Sequence, residues 1–535
     1  MQLNPLDRAI AAVAPAWAAQ RAASRTGLAL LESSGTPSAQ ALSGEDATPG
    51  TSNPARRWWN PAPRDARSDT LHKLPSQRGA SRELAATNPI AAGAINTNVD
   101  RVVGTGLALV SQPNAAVLGW SADQVAQWKR LVQAEYSLWA DSTACDHTDT
   151  NTFYELQAIV LRGALESGDC FTLMPNGERS LMQPYALRLQ LLEADRIGNP
   201  KGAMDTALEA AGVRMAESGA VQAFHVYARH PGAMYSATGS MYAGQWVERV
   251  GASGRKRILH HFRKRRPEQP RGVPYLAPIV DIIKQLGRYT EAEITAAVIT
   301  AYLTVFVETP TGNAAPVFDG GSADASQPDI GLGVGAVVGL APGEKISTVN
   351  PGRPNPNFGP FVEGVITQIG MALGLPRELL IKQFNSSYSA SKAALLDAWI
   401  YIRSVRVWLA GSFCQPVYET WLAEAVSLGR VPAPGFFTDP LLRWAYTRAS
   451  WPGDSMGSLD PQKEVAAYTA AIDARLMTRE RAEWELFGSD FNETLSQKVA
   501  EQSALAANNL LPAPKAGAAA QPAATPAERP TESTE

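Results

Sequence analysis

Cysteine is scarce in this chain of 535 residues. Only Cys145, Cys170 and Cys414 occur. They are odd in number, far apart and without a Cys-x-x-Cys spacing, which excludes a disulfide framework and a zinc site and fits a reducing compartment. Histidine numbers six. His260 and His261 lie in the strand-like "RILHHF", where successive side chains face opposite ways and cannot ligate one metal together. No metal or other cofactor is expected. No charge sign dominates either: 48 basic residues stand against 51 acidic ones, a formal net charge of -3. Global attraction to nucleic acid is thereby excluded, and any DNA contact must be local or weak. Long apolar runs are missing too. The longest uncharged one, "ITAAVITAYLTVFV" at 294–307, is shorter than the roughly 20 residues of a spanning helix, carries three threonines, and reads as a buried helix. No membrane partner is expected. The alanine-rich N-terminus makes a weak signal peptide, because Asp7 offsets Arg8 and Pro15 interrupts the run.

What is present is ordinary globular material: 45% hydrophobic and 19% charged residues, in a chain long enough for roughly three or four structural units. Residues 31–69 are rich in Gly, Pro, Ser and Thr and read as an extended arm anchored by Trp58 and Trp59. Residues 511–535 carry too little apolar surface to offset the entropy of ordering and read as a disordered tail. There is no internal repeat. From 153 to 230 a helical pattern, "FYELQAIVLRGALESG", mixes with strand-like runs, "DCFTLMP", "LRLQLLEADRI" and "AFHVYAR", predicting an α+β region. From 274 onward helices dominate.

Three of those helices have readable limits. The first opens with Pro274 in its first turn and carries Ile279, Ile282, Ile283, Leu286 and Tyr289 at three-and-four spacing. Continuous to residue 307, it would be roughly 50 Å long. The second aligns Phe361, Val365, Ile369 and Leu373 on one stripe and stops at Gly374, with Pro376 just beyond. The third is capped by Ser389 or Ser391 and buries Leu395, Leu396, Trp399 and Ile400.

Three motifs imitate catalytic sites. Ser389 and Lys392 have the Ser-x-x-Lys spacing of acyl-transfer enzymes, but the companion Ser-Asp-Asn and Lys-Thr-Gly motifs are missing and a capping serine explains the match. "GDSMG", Gly453 to Gly457, fits the nucleophile elbow around Ser455. It lacks the preceding strand and following helix, and the next helix reads as starting with Asp460 as N-cap and Pro461 at its first position. "GLGVGA", 331–336, fits a loose dinucleotide fingerprint without the helix that should follow. A cytosolic serine acyl hydrolase using Ser389 or Ser455 is the alternative function these matches leave open. One dense basic patch remains, 255–272, with Arg255, Lys256, Arg257, Arg263, Lys264, Arg265 and Arg266. It suits nucleic-acid contact, but a solvated loop or a salt-bridged subunit interface fits the overall acidity better. No Walker A pattern occurs.

The stretch "LAPGEKISTVNPGRPNPNFGPFVEGVITQIGMALGLPRELLIKQFNSSYSASKAALLDAW", 340–399, closely resembles the signature region of lambda-type phage portal proteins. Four further segments agree in order: "NPIAAGAINTNVDRVVGTGL", "ALESGDCF" with "LRLQLLEADRI", "HHFRKRRPEQPRGVPYLAPI", and "SLDPQKEVAAYTAAIDARLMTRERAEWELFGSDFNE". The resemblance implies a helix-rich α+β portal fold assembled as a homododecameric ring at one capsid vertex of the virion, built in the host cytoplasm. It implies an N-terminal arm (1–69), an α+β wing (70–273), stem helices (274–307 and 357–375) and a small β-containing clip between them (308–356). A tunnel loop (376–391), a long helix with the wing return (392–455), a helical crown (456–510) and the tail (511–535) complete the layout. Its implied partners are further copies of the chain, the terminase large subunit, the major capsid and scaffold proteins, a head-tail adaptor and double-stranded DNA held without sequence preference. No active site is implied, since the ATPase and nuclease of such systems reside in the terminase. The implied DNA-facing residues are Lys382, Gln383, Asn385, Ser386, Ser387, Tyr388 and Lys392. Neutral polar side chains suit sliding DNA, because each fixed cation would hold a phosphate and resist movement.

Overall fold

The computed structural model describes residues 63–233, 242–302, 306–308, 345–347, 357–384, 387–455, 461–487 and 491–508. The chain divides into two units, Met1–Asp65 and Ala66–Glu535. Trp58 and Trp59, the tail at 511–535, Asp460 and the "GLGVGA" segment lie outside the described residues.

The second unit opens with α1 (Ala66–Leu71), α2 (Leu74–Thr87) and α3 (Pro89–Val102). The arm read as extended to residue 69 is therefore helical from Ala66, whose side chain is buried. After β1 (Val110–Ser111) and the short α4 (Ala115–Leu118) come α5 (Ala122–Ala140) and α6 (Phe153–Ser167). Both longer helices begin with a capping box: Ser121 with Gln124, and Thr152 with Glu155. In the second, Thr152 Oγ1 accepts from the Glu155 amide while the Glu155 carboxylate accepts from the Thr152 amide at 2.7 Å, which satisfies donors the helix itself leaves free.

Two antiparallel sheets follow. β2 (Asp169–Leu173) lies between β3 (Gln190–Glu193) and β8 (Ile258–Phe262), and β4 (Glu209–Ala210), β5 (Val213–Met215), β6 (Val221–Tyr227) and β7 (Gly244–Glu248) form a meander. A bridge between Ile197 and Val226 joins them, and Phe171, Leu192, Ile197, Phe224 and Ile258 fill the small core between. The strands agree with the runs singled out in the sequence. His260 and His261 point to opposite faces, as alternation requires. His260 stacks on Phe171 at 4.2 Å, and His261 lies 2.8 Å from Thr172 Oγ1 and edge-on to Phe413.

The helices after residue 274 depart from expectation in instructive ways. Pro274 sits in a turn ahead of the helix; a 3₁₀ turn at Ala277–Ile279 leads into α7 (Val280–Tyr302). α7 is 23 residues long, about 35 Å rather than 50. Phe306–Glu308 (β9) pairs antiparallel with Lys345–Ser347 (β10), Val307 opposite Ile346. Nor is the described start of the apolar run, 294–298, buried. α7 packs into the core through Ile283 and Leu286, with Ile279 of the preceding 3₁₀ turn beside them, but Ile294 is 60% and Val298 50% exposed. α8 (Phe358–Leu373) stops at Gly374 in the left-handed region, φ 70°, as the glycine signal requires. Its buried face is Ile366, Ile369, Gly370 and Leu373, while Phe361 is exposed and packs edge-on to Tyr289 of α7. α9 (Arg377–Ile381) is one short turn.

α10 (Tyr388–Leu409) is capped by Ser387, whose hydroxyl accepts from the Ala390 amide, not by Ser389 or Ser391. Its buried stripe is Ala398, Ile402, Val405 and Leu409; Leu396 and Ile400, expected inside, are 48% and 62% exposed. Both stripes have helical spacing, and the neighbouring elements of this chain cover only one. A π turn at Ala410–Cys414 joins α10 to α11 (Gln415–Ser427). There Tyr136, Phe153, Phe413, Tyr418 and Trp421 form an aromatic cluster at the centre of the main core. α12 (Pro440–Thr447) and β11 (Ala449–Ser450), which pairs with β1, return the chain beside α4. α13 (Pro461–Asp473), α14 (Arg479–Phe487) and α15 (Phe491–Ala507) complete the unit, α13 starting at the proline the sequence marks.

Candidate functional site

Of the seven loop residues singled out in the sequence, Asn385 and Ser386 lie outside the described residues, as does the Tyr388 side chain. The other four bracket the stretch of chain between α9 and α10. Lys382 ends α9 in the left-handed region, φ 53°, a conformation that costs a non-glycine residue roughly 1–2 kcal/mol. It lines a cleft of about 380 Å³ together with Asp100, Glu378, Phe384, Trp399 and Asp454. Gln383 is exposed, Ser387 caps α10, and Lys392 on the second turn of α10 reaches Glu464 of α13 at 3.2 Å. Both loop lysines therefore stand beside carboxylates of their own chain.

The dense basic run is not one patch in space. β8 separates its halves by five residues, roughly 17 Å of strand. On one side, Arg255 donates to Asn176 and Lys256 pairs with Glu419 at 3.1 Å, while Arg257 is exposed. On the other, Arg263, Lys264 and Arg265 rim a groove of about 410 Å³ floored by Leu165, Leu373, Tyr401 and Trp408, and Arg266 pairs with Asp69 at 3.2 Å.

The arrangement that sequence reasoning missed lies just behind that groove. Asp169 is fully buried at the start of β2. Arg271 Nε and Nη2 donate to its two oxygens at 2.6 and 3.2 Å, Arg78 Nη2 at 2.7 Å and the Gly272 amide at 3.2 Å, with His260 Nε2 3.1 Å away. Arg271, itself buried, also donates to the carbonyls of Ala194, Ile197 and Ala211, and Arg78 to that of Ser167. Arg82 joins through Asp195 and Ser167. Burial alone would raise the Asp169 carboxyl, but Arg271 and then Arg78 hold it far below the usual carboxylate range. Burial lowers the Arg78 guanidinium to about 10 and lowers His260, against the pull of Asp169. The two backbones at this point nearly touch: a Cβ on Gly272 would sit 1.9 Å from the Gly168 carbonyl oxygen. A readable signal was present, since Gly168-Asp169, Asp195 and Arg271-Gly272 all fall within the segments that carry the portal resemblance. The cluster ties α2, β2 and the approach to α7 together.

Among the described residues no catalytic constellation accompanies it. Ser389 is exposed on the first turn of α10, and the Lys392 amine is engaged by Glu464. Ser455 lines the 380 Å³ cleft without a histidine among its lining residues. Burial pushes the thiols of Cys145 and Cys170 up to about 12. Among the described residues there is no group of three His, Cys, Asp or Glu able to hold a metal, and no helix long and apolar enough to cross a membrane.

The family model for phage portal proteins of the lambda family matches residues 52–406. Portal protein B of Escherichia phage lambda is 23% identical over 490 residues, covering 86% of this chain and 90% of that protein. The portal protein of Escherichia phage N15 is 24% identical with the same coverage. Among solved structures, a chain from the neck of an empty gene transfer agent particle aligns over 62% of this chain and 81% of its own length, with 13% identity and a TM-score of 0.40. A chain from the virion of the native gene transfer agent particle aligns over 78% and 96%, with 13% identity and a TM-score of 0.39.

Proposed function

The chain belongs to the lambda family of phage portal proteins, structural and non-enzymatic components of the virion, and from that premise we propose that its copies form the ring-shaped channel through which double-stranded DNA is packaged and later ejected. The ring has twelve copies and sits at one capsid vertex. The sheets and helices before residue 274 form its wing, α7 and α8 its stem, 308–356 its clip and α13 to α15 its crown. The clip docks the terminase large subunit during packaging and the head-tail adaptor afterwards, while the wing meets capsid and scaffold proteins. The turn between α9 and α10 is the loop that faces DNA.

The observation that carries assembly is the outer half of α7. Beyond Leu286 no residue of α7 described at side-chain level is buried, yet from Ile294 the sequence is uncharged and largely apolar, and Ile294 and Val298 stand in solvent. A helix that is apolar where its own chain leaves it bare is stable when neighbours cover it. Electron microscopy of the purified protein tests the reading: rings with a central hole are expected, and Ile294→Asp with Val298→Asp should yield monomers or aggregates. A compact monomer from the parent chain would sink the proposal. The loop has its own test. Gln383→Arg with Asn385→Arg should leave rings intact but stall packaging, with partial relief at higher salt as phosphate contacts weaken. Packaging at the parent rate would remove the loop from the DNA path.

A further inference from the structure

Between Lys382 and Lys392 the loop "KQFNSSYSASK" carries no other charge, so what those two amines do sets its electrostatics. Lys392 lies on α10, Glu464 in the first turn of α13, and 72 positions of chain separate them. They nonetheless meet at 3.2 Å, the lysine side chain 33% exposed and the carboxylate 18%. Glu464 stands in the first turn of α13, where the helix dipole favours negative charge. An ion pair this exposed adds little to stability. Its effect on the surroundings is larger, because an ammonium paired at contact distance presents a dipole, not a charge, to anything passing.

We propose that Glu464 is a charge-masking residue: it holds the Lys392 ammonium away from the phosphates of DNA in the channel and so keeps the loop slippery. The inference rests on the loop facing DNA, as proposed above, and adds the reason why a lysine is tolerated beside it. The chemistry is simple competition. A phosphate can recruit Lys392 only by displacing a carboxylate already anchored on α13, and that helix is itself held to α14 through Tyr468, whose hydroxyl donates to Glu485 at 3.1 Å. Removing the carboxylate charge releases one amine per subunit from its anionic partner on α13, and the ring multiplies the effect by its copy number.

The test uses purified full-length rings and a short duplex DNA, with affinity followed by fluorescence anisotropy as a function of salt. Each freed lysine that reaches a phosphate steepens the log–log salt slope by about 0.9. Glu464→Gln should therefore steepen the slope by at least about one and tighten binding at low salt. The double variant Glu464→Gln with Lys392→Gln should return to the parent slope, which assigns the effect to that amine. A control ring carrying Gln383→Arg separates the two layers of the argument. If the control steepens the slope and Glu464→Gln does not, masking is wrong while the loop still faces DNA; if neither does, the loop reading fails and masking falls with it. Persistence of the steeper slope in the double variant would also overturn the proposal, since another charge would then be responsible. Amine acylation read by mass spectrometry gives an independent measure on folded rings: Lys392 should label faster in Glu464→Gln, and an unchanged rate would count against masking.

Discussion

Asp169→Ala is the perturbation with the largest expected effect. The carboxylate receives four donated hydrogen bonds from Arg271, Arg78 and the Gly272 amide and contacts His260, all in the interior. Removing it leaves Arg271 with no carboxylate and Arg78 with Asp195 alone, both guanidiniums at most 6% exposed, and breaking a buried pair from one side costs about 3–5 kcal/mol. Against a total stability of about 5–15 kcal/mol that is a large fraction. Urea unfolding followed by tryptophan fluorescence should show it directly, with Glu166→Gln as reference. The Arg162–Glu166 pair is an exposed i,i+4 contact at 3.2 Å and should be worth about 0.3–0.5 kcal/mol. Acid sharpens the test. The Asp169 carboxyl is depressed in the folded state, so its contribution is complete above the unfolded value near 3.9 and is lost as pH falls below it. Between pH 3.9 and lower values the gap between parent and Asp169→Ala should close by about 1.4 kcal/mol per pH unit. A cost below about 1 kcal/mol at neutral pH, or a gap that stays constant into acid, would refute the reasoning.

Three further outcomes follow from single sites. Burial lowers His261 to about 3, so the folded state keeps it neutral and loses stability as pH drops below the unfolded value near 6.5. By pH 4.5 that loss is about 2.7 kcal/mol, and a His261→Phe variant compared with the parent by urea midpoints should lack this slope. Gly272→Ala places a methyl against the Gly168 backbone and should cost about 3 kcal/mol or yield insoluble protein, whereas Gly79→Ala, mid-helix on α2 with open space around it, should stabilise by about 0.5–1 kcal/mol in the same assay. Ser387→Ala should cost about 1 kcal/mol of local stability, seen as faster amide exchange in the first turn of α10, while Ser389→Ala should change exchange there by less than a third as much.

Local signals in this chain carried far because they act within one turn of backbone. The stop at Gly374, the start at Pro461 and the strand alternation that sets His260 against His261 all depend on residues within four positions of each other, and the sequence alone determined them. Family membership was legible for a related reason, since ordered segments such as "ALESGDCF" and "HHFRKRRPEQPRG" can be compared without knowing where they meet. Which apolar stripe of a helix is buried was not legible. α10 has two at equal spacing, and only the packing of other elements selects Ala398, Ile402 and Val405 over Leu396 and Ile400. The cap at Ser387 rather than Ser389 or Ser391 was a choice among neighbours of equal propensity, made by where the chain leaves α9. The dense basic run became two groups because β8 lies between its halves. The charge partners were hidden most completely: Asp169 meets Arg271 across 102 positions and Lys392 meets Glu464 across 72. No periodicity encodes such pairs, because their energy comes from burial and approach distance, quantities that exist only once the chain has folded.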